Sequence, residues 1–447
     1  MKCIGALLLL FAIACSAFAA PAPQLSDREL PPGLIVPEAA KPGPDFDVER
    51  ATQAYLDVLT PEQRAKSDAY FEGGYWLELW GLLYGLAVAA LLLFGGLSRR
   101  MRDAAQRVTR RPFLSTWLYV AMWLLVAQLL ELPLAIYSGY FREHQYGLST
   151  LTFGGWLREG AIGLGVSLIL VPPLVALLYV AARKAGERWW VWASGIMFVA
   201  ILLLIMIAPV AIAPLFNKYT PLPSGTVRDE VLSLARANRI PATNVYLFDA
   251  SKQTTRVSAN VSGMLGTTRV SLNDNLLART SLPEIRAVLG HEMGHYVLNH
   301  PMRLTIYLTL VVALGFFIVH RALDAALRRW GSRWGAGDRT DPAALPAAVA
   351  IFAIFFFFAT PLVNTITRQA EAEADAFGMN AAREPHGFAT VAMRLSTYRK
   401  LNPGPLEEIL FYDHPSGADR VRRAMTWLKE NQNDPHVLAS MATAAKK

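Results

Sequence analysis

His291-Glu292-Met293-Gly294-His295 has the residue types and the spacing of a hydrolytic zinc centre. On a helix, two histidines four positions apart put their imidazoles one turn apart on one face. Neutral imidazole nitrogens suit a tetrahedral zinc, and a catalytic zinc takes three protein ligands and leaves a fourth position open for water. Glu292 sits beside that open position, where a general base belongs. A helix is expected here. Ser281-Leu282-Pro283-Glu284 reads as a capping box with proline in the first turn, and Ile285, Val288, Leu289 and Tyr296 supply an apolar stripe.

The motif needs a third ligand. His300 is near in sequence, but the longer metzincin pattern requires glycine at 298 and histidine at 301, where this chain has Leu298 and Pro301. His300 therefore reads as the frayed end of the helix. The better candidate lies in Arg368-Gln369-Ala370-Glu371-Ala372-Glu373-Ala374-Asp375, where Glu371 and Asp375 share one helical face. Glu371 is expected to complete a His-His-Glu site for one Zn2+ per chain. Asp375, one turn later, is expected to accept the second ring N–H of a ligating histidine, fixing its tautomer and raising its basicity. Alone, Glu371, Glu373 and Asp375 would read as the solvated face of an alanine-rich helix. The upstream motif tips the segment toward metal binding.

Composition says where this chemistry is housed. The chain is 53% hydrophobic and 17% charged, with a mean hydropathy of +0.29, which points to a membrane protein rather than a soluble domain. Charge-poor stretches at 79–97, 113–140, 161–182, 189–215, 304–319 and 343–366 give six expected membrane spans, the fifth of them short. Residues 1–19 have the layout of a secretory signal peptide: Lys2, an apolar run and Ala17-Phe18-Ala19, with cleavage expected after Ala19. Both cysteines, Cys3 and Cys15, lie inside it, so a processed chain has no disulfide, thiolate ligand or cysteine nucleophile.

Residues 20–74 read as an exported linker, to which no chemistry is assigned, and a helix starting near Pro61. Residues 75–215 hold spans 1–4, 216–303 the zinc protease domain, 304–366 spans 5 and 6, and 367–447 the third-ligand helix with a C-terminal protease region. Within 216–303 a helix is expected at 227–238 and strands at 244–248 and 269–272, with Gly263 and Gly266 at the turn before the second strand. An exposed strand beside a zinc helix can hold an extended peptide by its main chain. Arg99, Arg100, Arg102, Arg107, Arg110 and Arg111 follow the first span, and Arg183, Lys184 and Arg188 the third. By the positive-inside rule these loops face the cytoplasm and the zinc segment faces outward, periplasmic in a bacterial inner membrane. The net charge of +8 is explained largely by those loops, so no nucleic-acid partner is expected.

Beyond the motif, Leu130-Glu131-Leu132-Pro133-Leu134 with Tyr137-Ser138, the run from Pro214 to Leu222, Ser258-Ala259-Asn260, Arg368 to Asp375, and His414-Pro415-Ser416 with Arg420 resemble the integral-membrane CAAX prenyl protease family. The resemblance covers most of 70–425. It implies a mainly α fold, a multi-span helical bundle enclosing a water-filled chamber, with a small α+β zincin-type domain. It implies zinc on His291, His295 and Glu371, Glu292 as base, and Asp375 behind a ligand. It adds His414 and Asn260 as transition-state or substrate contacts and Arg420 as a supporting group that meets substrate. Glu131 would line the chamber wall. The family has seven helices, where this chain has a signal sequence and six spans.

The expected reaction is peptide hydrolysis by zinc-activated water with Glu292 as general base. The substrate is a peptide or protein, lipidated or not, met at the lipid bilayer. Processing of CAAX-box proteins is the leading expectation. A membrane quality-control protease for non-prenylated proteins is the alternative, and a multi-span transporter or chaperone with a structural zinc is a weaker one. The sequence assigns no oligomeric state.

Overall fold

The computed structural model describes residues 30, 33–263 and 268–444. The signal-peptide reading of 1–19 and the turn glycine Gly266 lie outside the described residues. Five helical stretches among the described residues are long and apolar enough to cross a membrane: Pro61–Phe94, Pro112–Gln145, Phe153–Phe216, His300–Trp334 and Pro342–Ala382. The third holds two of the six expected spans. It breaks at Gly186–Arg188 into Phe153–Ala185 and Trp189–Ile207, which pack on each other.

The first stretch differs from expectation. The helix starting near Pro61 is not separate from the first span but runs unbroken to Phe94, because the Thr60 capping box starts it and no proline interrupts it before Gly95. The short fifth span is likewise part of a 35-residue helix, His300–Trp334. At one end of the bundle, Arg102 pairs with Asp341 at 2.5 Å and Trp189 donates to His320 Nδ1 at 3.2 Å, drawing the segments that join the spans together. Arg99, Arg100, Arg107, Arg110 and Arg111 are exposed there, as are Arg188, Arg328 and Arg329. His300 and Glu371 lie at the opposite ends of their long helices.

Between the spans sits a four-stranded sheet in the order β1–β2–β4–β3, with β1 Tyr219–Pro221, β2 Val245–Phe248, β3 Ala259–Ser262 and β4 Arg269–Asn273. β2 and β4 are parallel and the outer strands antiparallel. The helix Thr226–Ala237 (α1) covers it, and its core of Val231, Val245, Val270 and Leu272 continues into Leu289 and Met293 of the motif helix Leu282–Val297 (α2). β3 is one of the two edge strands, and it packs against α2.

The N-terminal segment is not a linker. Val48–Leu56 is a helix whose Ala51 and Tyr55 are fully buried against Met393 of the helix Pro385–Leu395 (α4) and Val421, Met425 and Leu428 of Gly417–Glu430 (α5). Arg394 reaches the carbonyls of Leu30 and Gly33 at 3.1 and 2.8 Å and pairs with Glu284, the residue that caps α2 by accepting from Ser281 N–H at 2.7 Å. Leu30 and residues 33–59 thus close the back of the motif helix. Their proline-rich composition hid this, since the contacts that order them come from more than three hundred residues away.

Candidate active site

α2 crosses the long helix Leu345–Ala382 (α3) almost backbone to backbone. A Cβ on Gly378 would lie 2.6 Å from His291 N, one on Gly290 2.9 Å from Gly378 O, and one on Gly294 3.0 Å from Ala374 Cα. Small residues at the crossing allow this approach, and it brings the last turns of α3 onto the histidine face. His291, His295 and Glu371 converge, their donor atoms all within 4.8 Å of one another. The two Nε2 atoms are 3.1 Å apart, and Glu371 Oε2 and Oε1 are 3.2 and 3.5 Å from His291 and His295 Nε2.

These donors fit a metal. In a tetrahedral site with bonds of about 2.0–2.2 Å, donors stand about 3.3–3.6 Å apart. Both outer ring nitrogens are engaged: His291 Nδ1 donates to Asp375 Oδ1 at 2.7 Å, and His295 Nδ1 lies 2.9 Å from His300 Nδ1. The inner Nε2 atoms are therefore free to face a cation. Glu371 Oε2 is buried and accepts no well-formed hydrogen bond, although it is close to His291. Burial alone would lower the His291 pKa, but the Asp375 and Glu371 carboxylates outweigh it and raise it to about 9. Such a site favours a positive charge at its centre.

Glu292 points into a cavity of ≈ 210 Å³ that His291, His414 and the apolar Val288, Phe388 and Val391 also line. Burial raises the Glu292 pKa, with His291 and His295 pulling the other way. His414 stands with Nε2 3.3 Å from Glu371 Oε2, and its Nδ1 is 2.7 Å from Asp413 Oδ1. Asn260 lies on edge strand β3 opposite Ser271.

Arg420, expected as a supporting group that meets substrate, lines the same cavity. It donates from Nε and Nη2 to Asp375 at 3.0 and 2.6 Å and stacks over Phe388, so it also holds the carboxylate behind His291. His300 departs from expectation. It is not a frayed end but a buried residue, 1% exposed, that opens the next helix after a left-handed Asn299. Its partner Glu373, read as part of a solvated face, lies 3.2 Å from His300 Nε2. The available signal was density: three of the chain's eight histidines fall within ten residues.

Two family models match side by side. Residues 48–218 match the CAAX prenyl protease N-terminal model, described as five membrane helices, and residues 221–428 match peptidase family M48. The uncharacterized metalloprotease YhfN of Bacillus subtilis is 28% identical over 393 residues, 87% of this chain and 90% of the relative. CAAX prenyl protease 1 of Saccharomyces cerevisiae is 27% identical over 329 residues, 69% of this chain and 71% of its own. The crystal structure of S. mikatae Ste24p has a TM-score of 0.67 at 22% identity, covering 85% of this chain and 94% of that one, a likeness of fold.

Proposed function

The chain belongs to peptidase family M48 and is a membrane-embedded metalloendopeptidase, and from that premise we propose that its metal is one zinc held by His291, His295 and Glu371. The convergence of those three donors beside Glu292 carries the reading. Zinc bound there would supply Lewis acidity toward a scissile carbonyl and a nucleophilic water near neutral pH. Glu292 takes a proton from the attacking water and passes it to the departing amine nitrogen, and burial strengthens it as a base. His414, its Nδ1–H held by Asp413, donates from Nε2 in its imidazolium form to the carbonyl oxygen as that oxygen gains charge. Asp375, held by Arg420, fixes the His291 tautomer. Asn260 and the edge of β3 receive the substrate main chain. A structural zinc would be closed by four protein ligands, whereas the group that converges here among the described residues has three.

The test is Glu292→Gln in the purified protein. Zinc content by elemental analysis stays at that of the parent and peptide hydrolysis is lost. Retained turnover would sink the assignment.

For substrate we propose a peptide or protein met at the bilayer, in a chamber between the spans walled in part by Glu131, and processed as a CAAX-box protein. The relatives named CAAX prenyl protease favour this. One observation favours a second reading, a quality-control protease for non-prenylated proteins. The exposed arginines of the short loops joining the spans, among them Arg99, Arg107, Arg188 and Arg328, lie at the bundle end opposite the metal donors. By the positive-inside rule this supports a site on the periplasmic face of a bacterial inner membrane. With Cys3 and Cys15 replaced, a cysteine at exposed Lys252 is then labelled by an impermeant maleimide in intact cells and one at exposed Arg107 is not. The reverse pattern returns the site to the cytoplasmic face.

A further inference from the structure

The two histidines of the motif are held from behind by different devices. Behind His291 stands a carboxylate–arginine pair in direct contact, Asp375 with Arg420. Behind His295 stands another imidazole, His300, its Nδ1 2.9 Å from His295 Nδ1. Two ring nitrogens at that distance share one proton, and the far side of His300 decides where it sits. His300 Nε2 is 3.2 Å from Glu373 Oε2, and a carboxylate only accepts. The Nε2 of His300 therefore carries hydrogen, its Nδ1 is bare, and His295 must donate from Nδ1. That leaves His295 Nε2 with its lone pair directed at His291 Nε2 and Glu371. Arg303 donates to both oxygens of Glu373, at 2.6 and 3.2 Å, which fixes the carboxylate in place.

We propose that His300, Glu373 and Arg303 form a relay of positioning residues that locks His295 in the tautomer able to bind metal through Nε2. Two further features agree with it. His300 is 1% exposed, so water does not substitute for either of its bonds. Asn299, a non-glycine residue at φ 54°, makes the tight turn that folds the next helix back beneath His295. The relay ends, like the other, on a carboxylate–arginine pair, but at the surface: Glu373 and Arg303 side chains are 43% and 41% exposed.

The proposal rests on His295 being a metal ligand, and the test separates the two. Zinc affinity is measured by chelator competition, and the ligand field by the visible spectrum of the cobalt-substituted protein. His300→Leu, which fills the buried space without an acceptor, weakens zinc by about 10–100-fold and shifts the cobalt bands. His300→Asn, which restores an acceptor near the Nδ1 position, recovers most of both. Glu373→Ala, a half-exposed change that does not threaten folding, gives a smaller loss in the same direction. Parent-like affinity and spectrum in His300→Leu and Glu373→Ala, with the metal lost in His295→Ala, overturns the relay alone. Parent-like affinity in His295→Ala as well removes the ligand reading and the relay with it.

Discussion

At the scale of single residues, the proposed site separates the groups assigned to hold a cation from the group assigned to move a proton. His291, His295 and Glu371 direct donor atoms at one point, while Glu292 turns into the adjoining cavity, where burial raises its pKa. Glu292→Gln keeps the size and removes the basicity, so kcat falls by about 10²–10⁴-fold while zinc stays bound. A loss of metal along with activity would mean instead that Glu292 helps to build the site. The i, i+4 pairs 291/295 and 371/375 were legible in the sequence because helical periodicity sets their geometry locally. His300 was misread because its role depends on a turn at Asn299 that the metzincin spacing does not describe.

Among the elements, the decisive contact is the crossing of α2 and α3. Gly290 and Gly378 meet where a single Cβ would collide with main chain at under 3 Å, and backbone yields less readily than a side-chain end. Gly378→Ala forces the helices apart, at a cost of about 1–3 kcal/mol, and moves Glu371 and Asp375 away from the histidines. The expected outcome is near-parent helicity by circular dichroism with zinc affinity down by an order of magnitude or more. Parent-like zinc binding would show that the crossing has slack. The glycines were visible in the sequence, but nothing local marked them as partners. The membrane spans, the strands at 245–248 and 269–273, the break between the third and fourth spans and the turn at Gly263 were legible from apolar runs and turn residues.

Across the whole molecule, the N-terminal segment, α2 and the C-terminal helices share one core, and a buried imidazole links them. His386 is 2% exposed, its Nδ1 lies 2.8 Å from Tyr55 Oη, and its Nε2 has no partner, so burial lowers its pKa to about 4. The unfolded chain takes up this proton near pH 6.5 and the folded chain only near pH 4. The contribution is complete above pH 6.5 and is lost as pH falls through that window, by roughly 3 kcal/mol in all. His386→Asn cannot titrate, so its thermal midpoint falls less steeply than the parent's between pH 7 and 4.5 in detergent. Equal slopes would rule out a neutral buried His386. The sequence by itself determined the metal motif, its third ligand candidate, the membrane helices and the family, because each is written in spacing or apolar runs that local physics reads. Only the tertiary structure decided that Leu30 and residues 33–59 pack behind the motif helix, that Arg420 pairs with Asp375, and that His300 lies against His295. Those contacts join groups far apart in the chain or across a sharp turn, where burial and hydrogen-bond geometry, rather than periodicity, select the partner.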